Sequence, residues 1–138
     1  MEQPTLTTSR LILRALEDSD SKAIYRNFAH PDVVKYYDLD LFTDESQATK
    51  LIRNWIKRRE AGGGMRWAIC LENSGELIGT IGFVDISKQN NSSGIGYEIH
   101  PNYWGKGIIS EAVSVILEHG FNDRAFHRIW AITYPENV

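Results

Sequence analysis

In the segment from Gly94 to Phe121, a hydrophobic pattern typical of a strand precedes a glycine loop, and one typical of a helix follows it. Gly94–His100 has the pattern of a strand, and Gly105-Lys106-Gly107 follows after a short connection. Apolar or small residues then recur at helical spacing, at Ile109, Ala112, Val113, Ile116, Leu117, Gly120 and Phe121. The order predicts a strand, a tight loop and an amphipathic helix that buries these positions.

The glycine loop is a candidate anion site. Free N–H groups and the positive end of the helix dipole attract anions, and glycines let the main chain approach phosphate oxygens closely. Taken alone, Gly105-Lys106-Gly107 also reads as a plain tight turn before a helix. The loop is not a dinucleotide fingerprint, which needs a third glycine, or a nucleotide P-loop, which ends in Gly-Lys-Ser/Thr. Antiparallel strand order and the lack of metal-binding acids at phosphate-motif spacing also disfavour a nucleotide-binding domain.

The rest of the chain predicts the order strand, helices, three antiparallel strands, helix, strand. The predicted elements are a strand near Ser9–Leu16, a helix from Glu17-Asp18-Ser19-Asp20 to about Asn27, a short helix or turn at Val33–Tyr37, a helix opened by Asp44 and Gln47 and ended by Gly62-Gly63-Gly64, strands at Arg66–Leu71 and Leu77–Val84, and a last strand at His127–Thr133. Gly79 and Gly82 predict a bulge or a close backbone approach within a strand. We assign Trp55 and Trp130 to the core, and Cys70 to a buried structural position.

Composition limits the classes of protein. The chain has 138 residues, 42% of them apolar, which predicts one domain over residues 1–138. We expect a cytoplasmic protein, because its apolar runs are too short to span a bilayer, Met1–Thr5 does not begin a secretory signal, and its one cysteine permits a reducing compartment. The net charge of −3 predicts neither nucleic acid nor a membrane as a partner. The four histidines have no spacing typical of a metal site, so we expect no metal.

The segment His100–Ala112, with Tyr103-Trp104-Gly105-Lys106-Gly107, resembles the acyl-CoA-binding motif of the GNAT superfamily, and in particular the branch of ribosomal-protein N-terminal (alanine) acetyltransferases. The likeness extends along the chain in order. Thr8–Arg14 resembles that branch's first strand, Glu76–Phe83 its third, Gly96–Ile99 its fourth and His127–Ile129 its fifth.

The resemblance implies a fold, a cosubstrate and a set of residues. The implied fold is α+β in three layers, with a mixed, mostly antiparallel sheet and helices on both faces. The implied cosubstrate is acetyl-CoA. The residues implied to bind it are Ile99, Trp104, Gly105, Lys106, Gly107, Ile108, Ile109, Ser110 and Asn137.

Two features depart from the family pattern. Trp104 stands where the superfamily has Gln or Arg, and Ile109 stands where Gly or Ala is usual, which adds bulk beside the phosphates. The family also continues beyond Val138 with a helix, two strands and a residue, often Tyr, that protonates the leaving thiolate. We therefore expect impaired or absent turnover in this form, and the alternative function is a coenzyme A-binding remnant without catalysis.

In this family an acceptor amine attacks the thioester directly. Glu98 is our candidate base, directly or through water, and its alternative is an exposed strand residue paired with a lysine or arginine. His100 could share the proton or be a surface turn residue, Ser110 could bind phosphate or cap the helix, and Lys106 could add charge or be solvated.

The acceptor is expected to be a primary amine, on a protein N-terminus, a peptide or a small molecule. Tyr36, Tyr37 and Trp67 are candidate walls of its groove, although aromatic residues are at least as often ordinary core. A homodimer is plausible for an incomplete sheet.

Overall fold

The structure is a computed structural model, which describes residues 2–35 and 40–131. A six-stranded sheet has the strand order β1-β2-β3-β4-β5-β6. Its strands are β1 (Leu6–Thr7), β2 (Leu11–Ala15), β3 (Met65–Leu71), β4 (Leu77–Ser87), β5 (Ser92–Ile99) and β6 (Arg128–Ala131). The helices are α1 (Ser21–Phe28), α2 (Pro31–Val34), α3 (Glu45–Glu60) and α4 (Ile108–Glu118). The predicted order of elements is confirmed within these ranges for β2 to β6 and the helices, and the two-residue strand β1 is an addition that the sequence did not predict.

All neighbouring strands pair antiparallel except β5 and β6, which pair parallel from Ser92 with Arg128 to Ile95 with Ala131. The close approach predicted at two glycines of β4 is confirmed. A Cβ on Gly79 would lie 2.3 Å from the carbonyl oxygen of Glu98, and a Cβ on Gly82 would lie 2.0 Å from that of Met65. Only glycine avoids these clashes, so both positions hold β4 close to its neighbours.

The sheet has a helical layer on each face, as the α+β prediction required. Alternate residues of each strand point to opposite faces, so Trp67 and Ile69 pack with Ala112 and Ile116 of α4. Ala68 and Cys70 belong instead to the core formed with α1 and α3, which includes Ile24 and Phe28 among other residues. The two cores therefore lie on opposite sides of one sheet.

The helix α3 begins and ends where its sequence predicts. Asp44 accepts a hydrogen bond from the N–H of Ser46, and the side chain of Gln47 returns to the N–H of Asp44, which completes a capping box. Gly62 has φ +79°, which favours glycine, directly after the last turn. Within the described residues, no helix has the length and apolar character that crossing a membrane requires.

The end of α4 corrects one predicted core residue. Phe121 is 46% exposed. The chain continues α4 as a π-helical turn at His119–Asp123, in which the N–H of Arg124 bonds the carbonyl of His119. This wider turn breaks the helical spacing, and His119, which is buried, stacks on Phe83 with ring centroids 6.2 Å apart.

Three other residues were predicted to be buried, and the structure exposes them to different degrees. Trp130 is 37% exposed, which corrects its assignment, because it lies on β6 opposite Gly94 and its ring covers that glycine while its outer side meets solvent. The guanidinium of Arg128 lies 5.6 Å from the Trp130 ring. Cys70 is buried as predicted, and burial raises the pKa of its thiol. Trp55 packs half-buried against the α1–α3 core.

Candidate active site

The loop between β5 and α4 has the geometry that its glycines predict. Gly105 and Gly107 have φ +74° and +75°, in the left-handed region that favours glycine. Gly105, Lys106 and Gly107 are exposed, and Gly107 is the N-cap residue of α4. The main chain of the loop is therefore open to a ligand.

The first turn of α4 presents backbone donors next to this loop. The N–H of Glu111 bonds the carbonyl of Gly107 at 3.1 Å, so the N–H groups of Ile108, Ile109 and Ser110 precede the first helical bond. Ser110 is exposed, Ile109 is half-buried and Ile108 is buried. Three aligned N–H donors at the positive end of a helix are an arrangement that attracts anions.

Trp104 fixes the loop to the end of β5. Its indole Nε1 donates to the carbonyl of Ile99 at 3.0 Å, and its ring packs half-buried against the α4 core. The N–H of His100 bonds the carbonyl of Ile78, so Ile99 and Gly79 form a non-hydrogen-bonded pair. Ile99 therefore directs its own N–H away from β4, towards the β6 side of β5.

A second connection to the loop comes from the segment before β2, and sequence reasoning missed it. Arg10 pairs with Glu111 of α4 (Nε to Oε1, 2.8 Å) and donates from Nη1 to the carbonyl of Lys106 at 3.0 Å. Glu111 also accepts from the Arg10 N–H and the Thr8 hydroxyl. Arg10 and Glu111 both lie in segments that resemble the family, and this resemblance was the signal in the sequence that could have pointed to the pair.

Glu98 is buried beneath α1, with 3% of its surface exposed. Its Oε2 accepts from Nδ2 of Asn27 at 2.8 Å, and its Oε1 accepts from the hydroxyl of Thr80 at 2.8 Å. Thr80 is the residue directly opposite Glu98 on β4. The exposed alternative for Glu98 is therefore wrong, and its carboxylate belongs to a polar cluster inside the core.

The cluster extends to a cation. Nε of Arg66, on β3, donates to the hydroxyl of Thr80 at 2.9 Å, and its guanidinium lies 4.6 Å from the ring of Trp55. Burial raises the pKa of the Glu98 carboxyl, while Arg66 and the hydrogen bonds from Asn27 and Thr80 oppose this rise. We refer to Asn27, Arg66, Thr80 and Glu98 as the buried polar cluster.

His100 lies at the end of β5 and caps the short turn that follows. Its Nδ1 accepts from the N–H of Asn102 at 3.2 Å, and its ring lies edge-on to that of His30 at 5.7 Å. Partial burial and the nearby Arg26 and His30 lower the pKa of His100. The turn role predicted as its alternative is present, because Nδ1 is used for the cap.

The structure removes one predicted acceptor contact. Trp67 has no exposed surface, its Nε1 donates to the carbonyl of Pro4, and its ring packs edge-on against Phe83. A side chain enclosed in this way does not form the wall of a groove. The other predicted contacts, Tyr36, Tyr37 and the cofactor residue Asn137, lie outside the described residues. Across residues 2–35 and 40–131, no cluster of His, Cys, Asp and Glu side chains has the arrangement of a metal site.

Comparison with known proteins places this chain in one family. The family model of the acetyltransferase (GNAT) domain matches residues 10–138. The uncharacterized N-acetyltransferase YoaA of Bacillus subtilis is 37% identical over 134 residues, which cover 97% of this chain and 76% of YoaA. A GNAT-family acetyltransferase from Bacillus anthracis superposes with a TM-score of 0.83 at 28% identity, covering 97% of this chain and 76% of that one.

A third comparison concerns the fold alone. The structure of RimL, a ribosomal L7/L12 α-N-protein acetyltransferase in complex with coenzyme A, superposes with a TM-score of 0.70 at 23% identity, covering 84% of this chain and 67% of that one. Taken together, the family match and the identity to YoaA show that this chain belongs to the GNAT acetyltransferase family. It is an N-acetyltransferase, and acetyl-CoA is the acetyl donor that this family uses.

Proposed function

We propose that the protein transfers the acetyl group of acetyl-CoA to a primary amine by direct attack, with Glu98 as the general base. The carboxyl in the buried polar cluster supports this role most directly. A raised pKa moves a carboxyl closer to neutral pH, where a base must exchange protons to be effective. The acceptor class is a protein N-terminus, a peptide or a small amine.

The loop supports the proposal for coenzyme A. The pyrophosphate would accept hydrogen bonds from the N–H groups of Ile108, Ile109 and Ser110, and the left-handed Gly105 and Gly107 leave room for it. The Ser110 hydroxyl and Lys106 would add contacts, and Trp104 would hold the loop in place. Asn137 is proposed from the family resemblance to lie near the pantetheine arm.

The reaction needs a balanced proton transfer. The acceptor ammonium gives one proton to Glu98, directly or through water, and the free amine forms a C–N bond with the acetyl carbon. As the C–S bond breaks, the nitrogen gives its second proton to the departing sulfur, so coenzyme A leaves as the free thiol. The N–H of Ile99, which points away from β4, would stabilise the developing oxyanion. Holding the amine next to the thioester supplies much of the rate.

An acceptor screen tests the proposal. The protein is incubated with acetyl-CoA and one of three acceptor classes, which are peptides with a free N-terminus, N-terminally blocked peptides that contain lysine, and small amines. The released thiol is measured, and each acceptor is analysed by mass spectrometry. Acetylation of one class identifies the acceptor. Binding of acetyl-CoA without acetylation in any class would instead favour a coenzyme A-binding protein without turnover.

A further inference from the structure

Asn27 is the residue of the buried polar cluster that has a hydrogen-bonding atom left over. Its side chain lies at the end of α1 and has no exposed surface. Its Oδ1 is the one buried side-chain nitrogen or oxygen atom, within the described part of the chain, that has no hydrogen-bond partner. A buried acceptor without a donor costs free energy, so its presence requires an explanation.

The orientation of the Asn27 amide is fixed by its partners. Nδ2 donates both to the carbonyl of Ile78 at 3.0 Å and to Oε2 of Glu98 at 2.8 Å. The carbonyl of Ile78 can only accept a hydrogen bond. The amide nitrogen must therefore face it, on the side where it also meets Glu98, which leaves Oδ1 without a donor.

A purely structural role accounts for half of this arrangement. The bond to Ile78 ties α1 to β4, and an apolar residue could pack α1 there, as Ile24 and Phe28 do. It does not account for the bond to the carboxylate of Glu98 or for the unpartnered oxygen on the same amide.

Resting on the proposed function, we propose that Asn27 is a positioning residue for the reaction. Its Nδ2 orients the Glu98 carboxylate. Its Oδ1 is fully enclosed, so it accepts a hydrogen bond from a buried water that carries the proton of the acceptor to Glu98. Such a water would bridge the amide oxygen and the carboxylate.

The first test measures the titration of Glu98 by carbon NMR of the side-chain carboxyls in the whole protein. The Glu98 signal is assigned by its loss in Glu98→Gln. Asn27→Leu keeps the approximate shape and removes the donor, so the Glu98 titration should move up by roughly one pH unit, since a hydrogen bond to a carboxylate favours its charged form. Asn27→Asp, which is isosteric, should also move it up, because two carboxylates then share the site.

A matched control separates this effect from loss of helix packing. Ser21→Ala removes a buried hydroxyl of the same helix. This hydroxyl bonds the carbonyl of Asp18 and the hydroxyl of Thr49, and neither group belongs to the buried polar cluster. Ser21→Ala should lower thermal stability and leave the Glu98 titration unchanged. Unchanged Glu98 titration in both folded Asn27 variants would overturn the proposal and leave Asn27 as a packing residue.

Kinetics test the role of this water. Because a water on Oδ1 would carry the proton without binding the acceptor, Asn27→Leu should lower kcat about tenfold and leave the acceptor KM unchanged, and a raised KM with unchanged kcat would contradict this route. The acid limb of kcat/KM should move up with the NMR titration. Normal turnover in Glu98→Gln would refute the proposed base, whatever the NMR shows for Asn27.

Discussion

The glycine loop and the buried polar cluster lie at the same end of β5 but are built in opposite ways. The loop is exposed, offers backbone N–H groups, and depends on two left-handed glycines. The cluster is enclosed between α1 and the sheet and consists of side chains from α1, β3, β4 and β5. Under the proposed function their roles divide accordingly, so that the loop would bind the coenzyme and the cluster would handle the proton.

The largest effect should come from a carboxylate in the loop. In Gly107→Glu, the new charge would lie at the proposed pyrophosphate site, and we expect kcat/KM for acetyl-CoA to fall by roughly 100-fold or more. Gly75→Glu is the matched control, because Gly75 also has a positive φ, +74°, in an exposed turn with open space around it. Equal losses in the two variants would indicate backbone strain and not lost phosphate binding.

The second effect tests the cluster. Glu98→Gln should lower kcat by about 100-fold or more, which is the contribution usual for a positioned base, with the acetyl-CoA KM nearly unchanged. Glu118→Gln, on the exposed side of α4, should behave as the wild type. A wild-type kcat in Glu98→Gln would remove Glu98 from the mechanism.

The third effect concerns stability and pH. Because burial raises the pKa of Glu98 in the folded state above its unfolded value of about 4.3, the folded state keeps the proton longer as pH rises. The stability linked to this group is present below the unfolded pKa and is lost as pH rises through the folded pKa. Denaturant unfolding should therefore show Glu98→Gln gaining stability relative to wild type as pH rises from the unfolded pKa to the folded pKa, and a constant difference across that range would contradict the burial effect.

The smallest effect should come from the link between the loop and the segment before β2. Glu111→Gln keeps the shape but removes the charge that pairs with Arg10, whose side chain is 47% exposed. Since such pairs contribute about 0.2–1 kcal/mol, we expect coenzyme A affinity to fall by at most about fivefold. Calorimetry against Glu118→Gln measures this change, and no difference between the two would show that the link does not organise the loop.

The same contrast explains what the sequence could predict. The loop is local in sequence, so its glycines and the helix that follows were sufficient to predict its geometry. The cluster joins distant segments, with Asn27 and Glu98 separated by 71 positions. Glu98 could be selected as the candidate base from its position on a predicted strand. Asn27, Thr80 and Arg66 become its neighbours only through strand register and the packing of α1.

The wrong predictions have similar causes. Phe121 continues the helical spacing of apolar residues in the sequence, but a π-helical turn displaces it to the surface. Trp130 looks like a core residue in an apolar strand, but it faces a glycine on β5 that leaves its ring half open to solvent. Trp67 is a predicted groove wall with ordinary core as its alternative, and strand alternation directs it into the α4 core.

The most direct test of the division of roles is calorimetric titration of acetyl-CoA into the wild type, Gly107→Glu, Gly75→Glu and Glu98→Gln. We expect wild-type affinity in Glu98→Gln and Gly75→Glu, and no measurable binding in Gly107→Glu, with all four proteins folded by circular dichroism. Wild-type affinity in Gly107→Glu, or loss of binding in Glu98→Gln, would contradict the assignment of the coenzyme to the loop and of the proton to the buried polar cluster.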